Sequence, residues 1–143
     1  MSGDVVLRKV ASIDRCIRRA REEYAAAGEG FRDDFTRQDA VVLNLIRACE
    51  QAIDVAQIAV RRLNIPRPGS NRELFTALGR DGVVDRELAR ALEGMVGFRN
   101  VAVHEYRDLD LATVEAVVSD HVEQLQRFAL AILDALADAD GPA

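Results

Sequence analysis

The chain has 143 residues, 49% hydrophobic, 5% aromatic and 30% charged, with no tryptophan and a formal net charge of −5. That length suits one domain whose core is built from Leu, Val, Ile and Ala, and the acidic balance argues against a protein that coats nucleic acid nonspecifically. No apolar run approaches the ~20 residues of a membrane helix, and Met1-Ser2-Gly3-Asp4 lacks the basic start and apolar core of a secretion signal, so a cytoplasmic protein is expected.

Val6, Val10, Ile13, Ile17, Ala20 and Tyr24 step by three and four residues, one stripe of an amphipathic helix. Arg8, Lys9, Arg15, Arg18, Arg19 and Arg21 fill much of the rest and read as a solvated face. Gly28 and Gly30 end this helix in a short loop. Thr36-Arg37-Gln38-Asp39 has the form of a capping box led by the Thr36 hydroxyl. The helix it opens is expected to reach about Leu63 and, with apolar residues on more than one side, to be the central helix. Asn64-Ile65-Pro66-Arg67-Pro68-Gly69 must then break it, because proline lacks an amide donor and forces the residue before it out of helical geometry.

Ser70-Asn71-Arg72-Glu73 restarts a helix with capping-box spacing. Leu74, Phe75 and Leu78 face inward until Gly79 stops it, and Asp81-Gly82 makes a turn. Asp85 caps the next helix, with Leu88, Leu92, Met95 and Val96 as its apolar positions. Gly94 and Gly97 weaken that helix and predict a close backbone approach or a bend. Asp108 or Asp110 then caps one long last helix, striped by Leu111, Val114, Val118, Val122, Leu125, Phe128, Ile132, Leu133 and Leu136. His121, on or beside the stripe, is expected to be a packed or hydrogen-bonded histidine, and about 137–143 to fray. With no strand-like alternation, repeat or low-complexity tract, the fold class is all-α: an antiparallel bundle of four or more helices in one domain over 1–143.

Cys16 and Cys49 are too few for a disulfide framework and sit on apolar helix faces, so buried free thiols are expected. With His104 and His121 they form no ligand cluster, and neither a metal site nor a cofactor is expected. From Arg107 onward two arginines face eight Asp and Glu, an acidic segment suited to a protein interface.

The chemistry concentrates in Gly94-Met95-Val96-Gly97-Phe98-Arg99-Asn100-Val101-Ala102-Val103-His104-Glu105-Tyr106. Arg99 offers a permanent charge and a planar donor fork suited to phosphate. His104 can give or take a proton near neutral pH. Together they suit cleavage of a phosphodiester. On one regular helix, however, five residues at ~100° each place the two side chains roughly 140° apart. The site therefore needs a bend at Gly97 or a second copy of the chain.

Arg99, four residues, then His104-Glu105-Tyr106, preceded by Met95-Val96-Gly97-Phe98, resembles the signature of the HEPN superfamily and specifically of HepT-like toxins. The resemblance implies a homodimer whose two motifs line one cleft. It implies metal-independent RNA cleavage by attack of a ribose 2′-hydroxyl, with His104 as general acid or base, Arg99 stabilising phosphoryl charge, and Asn100 positioning the phosphate or the imidazole. It also implies a partner, an MntA-like nucleotidyltransferase antitoxin that adenylylates Tyr106. Ala102 is smaller than the aliphatic residue the family pattern leads one to expect. The alternative is a non-catalytic helical adaptor that serves a nucleotidyltransferase.

Overall fold

The protein is described by a computed structural model covering residues 2–139, with side chains placed from residue 5 onward. Helices α1 (Ser2–Ala27) and α2 (Phe35–Arg62) form a long antiparallel hairpin. Lys9 pairs with Asp54 at one end, 3.0 Å apart, and Arg37 pairs with the largely buried Glu23 at the other. The Arg37 hydrogen bond holds the Glu23 carboxyl below the usual carboxylate range. Most of the first helix's cations face solvent or pair with nearby acids, as Arg18 does with Asp14 at 3.1 Å.

Between the two helices the chain makes a 3-10 turn, Gly28–Asp33, rather than an open loop. Its Phe31 is buried edge-on against Tyr24, with ring centroids 4.9 Å apart. Gln38 Nε2, itself buried, donates to the Phe31 carbonyl at 2.8 Å. The cap of α2 is Asp34, whose Oδ1 accepts from the Arg37 amide at 3.1 Å, and not Thr36. The 3-10 turn delivers a carboxylate to the helix start two residues earlier than the threonine.

Helix α2 is the central element, touching α1 and the three other main helices; Val41, Leu45, Ala48, Val55, Ala56 and Ala59 on it are fully buried. Its end and the end of α3 (Asn71–Arg80) share one device. The Ile65 amide donates to the Val60 carbonyl at 2.9 Å and the Val83 amide to that of Leu78 at 3.0 Å. In each case the residue before is left-handed, Asn64 at φ 58° and Gly82 at φ 79°. These are Schellman caps with an apolar residue closing each turn. Helix α3 runs one residue past Gly79, and its start is capped as expected, Ser70 Oγ accepting from the Glu73 amide at 3.2 Å.

Helix α4 (Arg86–His104) packs antiparallel on α3, with Asp85 Oδ1 accepting from the Leu88 amide at 2.7 Å. A β-carbon added at Gly79 would lie 2.8 Å from Ala89 Cβ, so the two backbones approach closely there. After a short 3-10 turn at Tyr106–Asp108, Asp110 caps α5 (Leu111–Ala116) through the Ala112 amide at 3.1 Å.

The expected single last helix is interrupted. A π turn, Val117–His121, separates α5 from α6 (Val122–Ala139). A π turn acts like one inserted residue, so it rotates the faces on its two sides by ~100° relative to each other. That rotation takes His121 off the buried stripe: it is exposed, not packed. On α6, Phe128 meets Phe75 of α3 edge-on at 5.2 Å between centroids. The helix continues through Ala139, past the start of the expected frayed segment; residues 140–143 of that segment lie outside the described ones. Of the cysteines, Cys49 is buried and Cys16 partly so, and both are free. No helix among the described residues is long and apolar enough to cross a membrane.

Candidate functional site

Helix α4 carries the candidate residues Arg99, Asn100 and His104, and it runs without interruption through Gly94, Gly97, Arg99 and His104. The bend at Gly97 offered by the sequence is therefore not what joins the two key side chains. Their ~140° separation around the axis stands.

Arg99 turns back toward α2. Its Nη1 donates to Asn100 Oδ1 at 3.1 Å, and Nη2 lies 4.0 Å from Glu50 Oε1. The side chain is only 22% exposed, and its Nε is buried without a hydrogen-bond partner. A buried, unsatisfied guanidinium nitrogen is costly, since a lost partner leaves the full desolvation penalty unmet. Glu50 follows Cys49 on α2; burial pushes that thiol up to about 12, against the opposing pull of the Arg99 charge. Cys49 is consequently a neutral hydrophobe, not a nucleophile.

His104 is the last residue of α4, exposed, and its imidazole makes no hydrogen bond or ion pair among the described residues. Asn100, four residues earlier, shares its outward face, but the Asn100 amide oxygen is engaged by Arg99 and not by the imidazole. Glu105 is exposed and makes no ion pair among the described residues, so it is solvated.

Tyr106 opens the 3-10 turn, 44% exposed, and its hydroxyl donates to Asp39 Oδ1 of α2. Burial, and then the Asp39 hydrogen bond and charge, push the phenol up to about 12. Asp39 was legible only as a residue of the supposed capping box; nothing local in the sequence points it at a tyrosine 67 positions away.

Sequence reasoning also missed a groove of about 560 Å³ between α4 and the π-turn region, lined by Met95, Phe98, Val101, Leu109, Val117 and His121 among others. The two glycines of α4, Gly94 and Gly97, border it and were its only signal. Among the described residues no group of three or more His, Cys, Asp and Glu could hold a metal ion.

Comparison with known proteins places this geometry. A model of the ribonuclease HepT-like family matches residues 13–132. An mRNA nuclease HepT of Shewanella oneidensis is 42% identical over 126 residues, 88% of this chain and 94% of that protein. A tRNA nuclease HepT of Aphanizomenon flos-aquae is 32% identical over 75 residues, 52% of this chain and 51% of that protein. A solved tri-AMPylated Shewanella oneidensis HEPN toxin in complex with MNT antitoxin superposes with a TM-score of 0.86 at 40% identity, over 92% of this chain and 98% of that one. The chain belongs to the HepT-like family of HEPN-fold ribonucleases and is, by that membership, an endoribonuclease.

Proposed function

We propose that this endoribonuclease works as a two-fold dimer in which Arg99 and His104 from both copies converge on one ribose-phosphate linkage. The observation that carries the reading is the arrangement on α4. An orphaned guanidinium nitrogen and a free imidazole lie on different sides of one unbroken helix. The two groups cannot meet on one phosphate from a single regular helix, and an isologous pairing sets one copy's guanidinium opposite the other's imidazole. In the cleavage step a 2′-hydroxyl attacks its own neighbouring phosphorus, the P–O5′ bond breaks, and the products are a 2′,3′-cyclic phosphate and a free 5′-hydroxyl. The attacking group belongs to the substrate, so DNA is not cut. His104 transfers the proton, a role typically worth ~10²–10⁴-fold in rate. Arg99 stabilises charge on the phosphoryl oxygens, and Asn100 orients its fork.

Control by a partner fits the same end of the molecule. One relative is solved AMPylated and bound to its antitoxin, and we place this chain in a toxin–antitoxin pair with a nucleotidyltransferase of that kind. Tyr106, two residues from His104 and 44% exposed, is the acceptor. Its hydroxyl must leave Asp39 to be adenylylated. The added phosphate charge would then repel an RNA backbone beside the imidazole. The two similar nucleases are named for mRNA and tRNA respectively, and the arrangement here favours neither.

The test is incubation of purified protein with end-labelled RNA and EDTA, alongside His104→Ala. EDTA-resistant cleavage that leaves a cyclic phosphate and vanishes in the variant is expected. Cleavage that survives the substitution would remove His104 from the chemistry.

A further inference from the structure

The α3–α4 seam sets one more cation beside the motif. A β-carbon built on Gly97 would lie 3.0 Å from Arg72 Nη2, so the Arg72 guanidinium rests against α4 at a residue that has no side chain. Around the helix axis Asn100 lies ~60° and His104 ~20° from Gly97, which puts all three on one face, with His104 ~10.5 Å further along. Arg72 thus overlooks the face that presents His104, while Arg99 lies on another.

Arg72 is also one of the arginines that the fold leaves without an acid among the described residues. Arg19, Arg32 and Arg37 all have carboxylates within 3.1 Å. The Arg72 side chain is exposed and has no hydrogen bond or ion pair among the described residues. Glu93, one turn before Gly97 on the same face, is not paired with it. Its backbone is well held, however, because α3 is capped by Ser70 one residue earlier and Thr76 Oγ1 donates to the Arg72 carbonyl at 3.3 Å. A helical backbone, a donor fork open to solvent and a place beside the reacting face describe a phosphate clamp.

We propose that Arg72 grips a backbone phosphate flanking the linkage cleaved at His104, so that the RNA strand runs along α4 from His104 toward Gly97. This rests on the nuclease site described above and adds a binding residue to it, outside the Arg-His motif.

The test measures binding of a short single-stranded RNA to the His104→Ala protein, with and without Arg72→Ala, across a salt series. Loss of one phosphate contact should weaken binding about tenfold and flatten the log–log salt slope by about 0.7. Arg72→Lys should recover part of the affinity, because charge returns without the fork. With His104 intact, Arg72→Ala should raise KM by more than it lowers kcat.

Equal RNA affinity and salt slope with and without Arg72 would overturn the assignment, as would a defect confined to capture of the nucleotidyltransferase partner. Failure of the unaltered chain to cleave RNA, with the Arg72 binding defect still present, would count against the site at His104 and leave the phosphate clamp standing.

Discussion

From Arg86 to Val96, helix α4 buries Leu88, Ala89, Leu92, Met95 and Val96 in the bundle. From Gly97 to His104 only Phe98 and Ala102 are buried, while Asn100, Val101, Val103 and His104 face outward. The same helix therefore changes purpose at Gly97. Its first half is fixed by apolar packing, worth ~1.5–3 kcal/mol per large buried side chain. Its second half keeps just enough burial to stay helical and spends the rest of its surface on polar and apolar groups that have no mate within one copy. Exposed Val101 and Val103 beside an unpartnered imidazole are the composition of a surface awaiting something, whether substrate or a second chain.

The sharpest way to break this contrast is to exchange the effects of substitution in the two halves. His104→Ala should lower RNA cleavage by ~10²–10⁴-fold and leave the melting transition nearly unmoved, since an exposed side chain without partners is lost cheaply. Leu92→Ala, at a fully buried site, should cost ~2–5 kcal/mol of stability, read by denaturant unfolding. A His104 variant that unfolds early would erase the distinction.

Glycine substitutions sharpen the same division. Gly79→Ala drives a methyl to 2.8 Å from Ala89 Cβ, and since neither group can swing away it should destabilise by ~1–3 kcal/mol. Gly94→Ala meets nothing within 4 Å and should stabilise the isolated chain by ~0.5–1 kcal/mol through helix propensity. Opposite signs in paired unfolding curves are expected.

Alkaline pH gives a smaller effect with a defined sign. Cys49 is raised from 9.0 and Tyr106 from 10.0, each to about 12. The unfolded chain therefore releases these protons first. Their contribution is complete below about pH 9 and is lost as pH climbs toward 12, so the melting temperature should fall across that window and fall less steeply in Cys49→Ala. Smallest of all, Asp39→Asn should bring the Tyr106 phenol only part of the way back toward 10 in an ultraviolet titration, because burial outranks the Asp39 interaction as the cause of its shift.

Much of the scaffold was legible because its signals are local. A stripe such as Val6, Val10, Ile13 and Ile17 needs only helical periodicity, and caps such as Ser70 and Asp85 need one side chain and the next turn. The Thr36 cap failed because Asp34 is also a good N-cap and the preceding 3-10 turn, invisible to periodicity, decided between them. The π turn was hidden because apolar residues on both sides of it each keep helical spacing; the inserted rotation shows only in three dimensions. At the site, the Arg99 and His104 spacing could be read directly. Arg72 on Gly97, Glu50 by Arg99 and Asp39 on Tyr106 could not, since each joins helices distant in sequence.

Complementation tests most directly whether the reacting groups come from two copies. Arg99→Ala and His104→Ala proteins, each inactive alone, are co-refolded so that mixed dimers form, and RNA cleavage is assayed. A site drawing its guanidinium from one copy and its imidazole from the other predicts that the mixture regains a substantial fraction of the activity of the unaltered protein. Mixed dimers that form and remain as inactive as either parent would contradict it.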